Sequence, residues 1–146
     1  MKRIVRTVCV ILVLSMMLVI PAQAETNVEP RGSAFFAAYS TYLYKTSSTS
    51  FQIWFDVDAN AAMMDKLGTS VIELYRSSNQ QNWTKVKTYE MEDYPEMIDE
   101  YSYSHIDYVT YSNAWSGYYY CAYVTFYAKN STGIGERYVY TGILKM

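Results

Sequence analysis

Residues 51–58 alternate: Phe51, Ile53, Phe55 and Val57 form one apolar side, and Gln52, Trp54, Asp56 and Asp58 fall between them. A period of two with one apolar side predicts a half-buried strand. The same habit recurs along the chain. Residues 34–45 form a long mixed run that a bulge would interrupt. Residues 69–77 place Ile72 and Leu74 on one side and Glu73 on the other. Residues 83–91 set Lys85 and Lys87 around Val86, after the polar turn 78–82, so these two runs predict an antiparallel hairpin. A weaker run follows at 102–111, and another run at 136–144 after the turn 129–135. The run 117–128, Gly-Tyr-Tyr-Tyr-Cys-Ala-Tyr-Val-Thr-Phe-Tyr-Ala, has two faces. Tyr120, Ala122, Val124, Phe126 and Ala128 make the better core face. Tyr119, Cys121, Tyr123, Thr125 and Tyr127 make the other. Residues 60–68 alone suggest a short helix, with Met63, Met64 and Leu67 closely spaced and Gly68 as a stop signal. About seven short strands separated by turn residues predict an all-β antiparallel sandwich.

The N-terminal pattern is of another kind. Lys2, Arg3 and Arg6 precede an apolar run at 8–20, then Pro21 and Ala22-Gln23-Ala24. That order predicts a secretory signal peptide cleaved after Ala24. The run is shorter than the ~20 residues of a membrane-spanning helix. Residues 25–33 are polar, with Pro30 and Gly32, and predict a flexible leader to a single domain at 34–146. Cleavage would remove Cys9 and leave Cys121 alone, with no internal disulfide. It would also lower Lys+Arg from 12 to 9 against 14 Asp+Glu, a net charge of −5. An acidic secreted chain is a poor match for nucleic acid or an anionic membrane. Membrane contact is expected only through the signal peptide before cleavage.

Two stretches carry the nearest thing to a family signature. Val124-x-Phe126-x-Ala128-x-Asn130-x-x-Gly133-x-Gly135-Glu136 resembles the F strand and F–G turn of fibronectin type III and related immunoglobulin-like sandwiches. Residues 73–90 resemble the hairpin of such domains. The chain as a whole resembles small secreted β-sandwich proteins of Gram-positive, often gut-dwelling, bacteria. The resemblance implies an immunoglobulin-like fold and no particular activity. Two positions depart from it. The resemblance puts the corner tyrosine at position 122, which is alanine, with Tyr120 two residues earlier. It also puts a buried tryptophan on the second strand, whereas Trp54 has the opposite parity to Phe51, Ile53 and Phe55. Either a bulge shifts the register there or the faces are assigned differently.

Candidate chemistry is sparse. His105, the sole histidine, shares strand parity with Asp107, which could poise a base. No G-x-S-x-G elbow is present. Asp56-x-Asp58-x-Asn60 opens like a calcium loop, but Ala61 and Leu67 stand where glycine and glutamate are required. Residues 89–101 hold Glu90, Glu92, Asp93, Glu96, Asp99 and Glu100, expected to be a solvated acidic connector. No cofactor motif, metal site or catalytic set is expected. The tyrosines, 17 of 146 residues, carry the functional reading. Trp115, Tyr119, Tyr123 and Tyr127 are the candidate ligand-binding residues, because exposed rings offer apolar area at low entropic cost. The expected function is a secreted, non-catalytic module that binds an extracellular protein or glycan. The alternative is a small secreted inhibitor or extracellular enzyme.

Overall fold

A computed structural model describes residues 34–146, which form one compact unit. The predicted signal peptide and leader lie outside the described residues. Nine strands are present among them: β1 (Phe36–Lys45), β2 (Phe51–Ala59), β3 (Met64–Ser77), β4 (Thr84–Glu90), β5 (Ile98–Ser102), β6 (Ser104–Tyr111), β7 (Tyr119–Asn130), β8 (Gly133–Tyr140) and β9 (Leu144–Lys145). All pairings are antiparallel. One sheet has the order β1-β2-β6. The other has the order β4-β3-β7-β8, with β5 continuing along the β4 edge of β3 and β9 along the β8 edge of β7. The architecture is an all-β, two-sheet antiparallel sandwich. None of the described residues lies in a helix long and apolar enough to cross a membrane.

The core is built from the alternation. Phe51, Ile53, Phe55 and Val57 of β2 face Tyr120, Ala122, Val124, Phe126 and Ala128 of β7, all at most 1% exposed. Burying each large apolar side chain contributes roughly 1.5–3 kcal/mol. Tyr120 and Tyr89 enter this core only because their hydroxyls find partners, as buried polar groups must. The Tyr120 hydroxyl accepts from the Trp115 backbone N–H at 2.8 Å. The Tyr89 hydroxyl donates to the Thr110 carbonyl at 3.1 Å, tying β4 to β6 across the sandwich. Of positions 120 and 122, it is therefore 120 that carries a buried tyrosine hydroxyl bonded to the backbone.

The β3–β4 hairpin forms as the turn chemistry predicts. Asn79 Oδ1 accepts the N–H groups of Gln81 and Asn82, each at 3.0 Å, while Gln80 adopts a positive φ of 61°. β1 does carry a register shift, between Phe36 and Ala38.

The helix expected at 60–68 does not form. β3 begins at Met64, and its first residues are paired on both sides, to β5 and to β7. Two ladders of backbone hydrogen bonds outweigh a weak local helical spacing. Gly68 is not a helix stop. It sits at φ 153° where the carbonyl of Met97 closes on β3, leaving no room for a Cβ. β5 itself lies inside the acidic connector, entered through a 3-10 turn at Pro95–Met97 that buries Met97.

Candidate binding faces

β7 is an interior strand, so the side chains that its alternation turns from the core lie on a sheet surface between neighbours rather than at a rim. In register, Tyr123 stands between Glu73 of β3 and Tyr140 of β8, and Tyr127 between Gly68 and Glu136. Tyr138, one rung along β8, lies parallel to Tyr123 with 6° between planes and 5.9 Å between centroids. Tyr140 tilts against Tyr123 at 4.6 Å. These separations lie in the range of favourable ring pairs. The Tyr138 hydroxyl donates to the Glu136 carboxylate at 2.8 Å, which fixes the ring and pushes its pKa up. Tyr138 and Tyr140 remain 56% and 66% exposed.

A break between β8 and β9 adds relief to this face. Thr141 N–H donates to the Ala122 carbonyl, but Ala122 N–H donates to Thr141 Oγ1 rather than to a backbone oxygen, both at 2.9 Å. A side chain thus replaces one rung of the ladder, the chain bulges outward, and Ile143 is left exposed. Such interruptions commonly re-aim side chains beside binding sites. Ile143 and Tyr140 wall a groove of about 490 Å³ whose other lining residues are Tyr75, Trp83, Cys121 and Thr141.

Glu73 anchors Tyr75, one of the groove's lining residues. It accepts from the Lys85 ammonium at 2.7 Å and from the Tyr75 hydroxyl at 2.8 Å. The two bonds hold the Glu73 pKa below the usual carboxylate range. The same carboxylate pushes Tyr75 up to about 12. Cys121 is half-buried on the groove floor as a free thiol, and burial pushes its pKa up. It is protonated at neutral pH and a weak nucleophile.

The structure separates the four residues singled out in the sequence. Tyr119, Tyr123 and Tyr127 share the outer face of β7, but only Tyr123 joins the ring cluster. Tyr119 meets Lys145, whose ammonium is 5.4 Å from the ring centroid. Trp115 lies on the segment before β7, where the Arg76 guanidinium covers its ring at 3.9 Å and Tyr118 meets it edge-on at 5.5 Å. The residues that complete the patch are Tyr75, Tyr138, Tyr140 and Ile143. For Tyr138 and Tyr140 the sequence carried only their shared parity with Ile134 and Glu136.

Trp54 belongs to a second aromatic surface. β2 pairs with β6 without a register shift, so no bulge turns Trp54 inward. It lies on the outer face of the three-stranded sheet, in one rung with Tyr42 and Tyr108. Tyr42 and Trp54 are parallel within 3° at 6.1 Å, and Trp54 and Tyr108 are 4.7 Å apart. Trp54 Nε1–H donates to Gln52 Oε1 at 3.0 Å.

His105 and Asp107 do not form a dyad. His105 Nε2 bonds the Glu96 carbonyl at 2.9 Å, and its ring lies against Phe55. Asp107 accepts from the Tyr108 backbone N–H at 2.8 Å. The six carboxylates of the acidic connector are all exposed. Among the described residues, no three histidine, cysteine or carboxylate side chains converge on a point where a metal could sit.

No family model matches this chain, and no curated protein matches it. Among solved structures it is similar to an X-ray structure of Northeast Structural Genomics Consortium target SoR45. The likeness is at 6% sequence identity with a TM-score of 0.32, over 79% of this chain and 87% of that chain.

Proposed function

We infer that this protein is a secreted, non-catalytic interaction module with an immunoglobulin-like fold, and that it holds an extracellular protein partner against the outer face of β7 and β8. The observation that carries this reading is the ring cluster of exposed Tyr138 and Tyr140 on half-buried Tyr123, beside the groove walled by Ile143. Tyrosines supply amphipathic contact area at little entropic cost, and an adjoining apolar groove suits an anchoring side chain from the partner. Secretion is supported by the basic, apolar and small-residue order of residues 1–24.

The immunoglobulin-like assignment is supported by strand order. Lettered A, B, C, C′, E, F and G, the strands β1, β2, β3, β4, β6, β7 and β8 give sheets A-B-E and C′-C-F-G. Moving the fourth strand to the second sheet converts the immunoglobulin constant order, ABED against CFG, into this one. The Tyr120 hydroxyl near the start of strand F, bonded to backbone five residues upstream, supports it too.

A second reading, a glycan partner, draws on the other face. There the Tyr42–Trp54–Tyr108 rung lies beside Gln52 and Asp56, an aromatic strip with polar groups at its side.

Pull-down from surface extract and a glycan array test the two readings, each with wild type and with Tyr138→Ser/Tyr140→Ser. A protein captured by wild type and lost in the variant supports the first. Glycan binding that the variant keeps and Trp54→Ala loses supports the second. Empty results in both assays would overturn the module.

A further inference from the structure

The long strands at the four sheet edges, β1, β6, β4 and β8, are not defended equally. Edge strands expose unpaired N–H and C=O groups, and proteins blunt them with lysines, prolines, bulges or inward-pointing charges. β4 carries Lys85 and Lys87 and a register shift opposite Leu74/Tyr75. β6 has His105 and Asp107 at core-side parity. β8 has Arg137 at core-side parity, opposite Phe126, and the chain breaks away after Tyr140. β1 is ten residues long, Phe-Ala-Ala-Tyr-Ser-Thr-Tyr-Leu-Tyr-Lys, with no proline and no charge before its last residue. Its register shift lies at the far N-terminal end, between Phe36 and Ala38. From Tyr39 to Lys45 it is regular and undefended.

The hydrogen-bond phase of that stretch can be read directly. Thr46 N–H donates to the Ser50 carbonyl at 3.1 Å, so the even-numbered residues of β1 face β2. The odd-numbered Tyr39, Thr41, Leu43 and Lys45 therefore point their N–H and C=O groups at the open edge. An antiparallel copy of the same strand satisfies all of these groups in one register. In it Tyr39 is opposite Lys45, Thr41 is opposite Leu43, and Tyr42 is opposite itself. The register places no like charges opposite each other, and it gives Tyr42 the non-hydrogen-bonded position where facing side chains come closest. The ring row already present, Tyr108–Trp54–Tyr42, then continues across the junction into the row of the second copy.

We propose that β1 is a self-pairing edge, through which two copies of this chain join their three-stranded sheets antiparallel about a two-fold axis with Tyr42 facing Tyr42. The contact is isologous, so it closes at two copies and does not propagate.

The test uses the purified protein in sedimentation equilibrium over a concentration series, with Tyr42→Lys, Tyr42→Glu and their equimolar mixture. Tyr42 is 47% exposed, so both variants fold, as circular dichroism checks. The expected result is a reversible wild-type dimer. Each variant alone raises the dimer dissociation constant by at least about tenfold, through like charges placed face to face. The mixture restores the dimer, because only in this register does residue 42 meet residue 42. A second arm uses Tyr42→Cys in a Cys121→Ser background. A non-hydrogen-bonded pair has its Cα atoms within disulfide range, so oxidised glutathione should produce a covalent dimer. A wild type that stays monomeric throughout, variants that dimerise as wild type does, or a mixture that stays monomeric would each overturn the proposal.

Discussion

The Tyr120 hydroxyl is a good place to press the account, because the ring and the hydroxyl can be removed separately. The ring is fully buried and packs against Phe51 at 5.1 Å and Tyr111 at 5.9 Å. The hydroxyl accepts the Trp115 N–H at 2.8 Å and so ties the segment before β7 to the core. Tyr120→Phe keeps the ring and leaves that N–H without its acceptor. A stranded buried donor costs about 1–3 kcal/mol. Trp115 is 53% exposed, water can reach its backbone, and the loss should fall at the low end, about 1 kcal/mol. For a domain of this size that lowers Tm by roughly 3–6 °C. Tyr120→Ala also removes the ring and should cost about 3–5 kcal/mol. Urea denaturation read by circular dichroism measures both, with the m-value unchanged in the phenylalanine variant. A Tyr120→Phe midpoint equal to wild type would refute the hydroxyl's role. A loss as large as that of Tyr120→Ala would refute the separation of ring from hydroxyl.

Two other perturbations probe different joints of the fold. Gly68→Ala puts a Cβ against the Met97 carbonyl at a backbone angle that only glycine adopts easily, and it should cost at least about 2 kcal/mol, measured by thermal unfolding. Tyr89 tests the alkaline limit. Burial, then the neighbouring Tyr94 and Tyr111, push its pKa above the ordinary value of 10.0. The folded chain thus keeps a proton that the unfolded chain releases, and stability is full below about pH 10 and falls as pH rises above it. Tyr89→Phe should flatten that decline in a pH series of urea midpoints, and an unchanged slope would count against it.

How much of this was legible in the chain depends on where each residue's neighbours come from. β2 and the core face of β7 could be read outright, because alternation alone decides which side chains turn inward on a two-layer sandwich. Residues 60–68 could not. Met63, Met64 and Leu67 have a helical spacing, and only the distant β5 and β7 make an extended β3 the better partner. β5 was hidden for a related reason: Ile98-Asp-Glu-Tyr-Ser carries little strand propensity and forms on the edge that β3 offers. Trp54 shows a partial success. Its parity placed it away from the core, but its rung with Tyr42 and Tyr108 depends on two long-range registers. The candidate face divides in the same way. Tyr119, Tyr123 and Tyr127 were placed on one face because they lie on one strand. Tyr138, Tyr140 and Ile143 were not, because their exposure follows from β8 lying at an edge and from Thr141 capturing a rung of its ladder.

The claim that the outer face of β7 and β8 is a binding surface is tested most directly by comparing wild type with Tyr138→Ser/Tyr140→Ser in pull-down from surface extract. Both tyrosines are more than half exposed, so the variant should unfold at the wild-type temperature within the small effect usual for surface substitutions. The account predicts a protein captured by wild type and absent from the variant at equal loading. Capture of the same protein by both would contradict it.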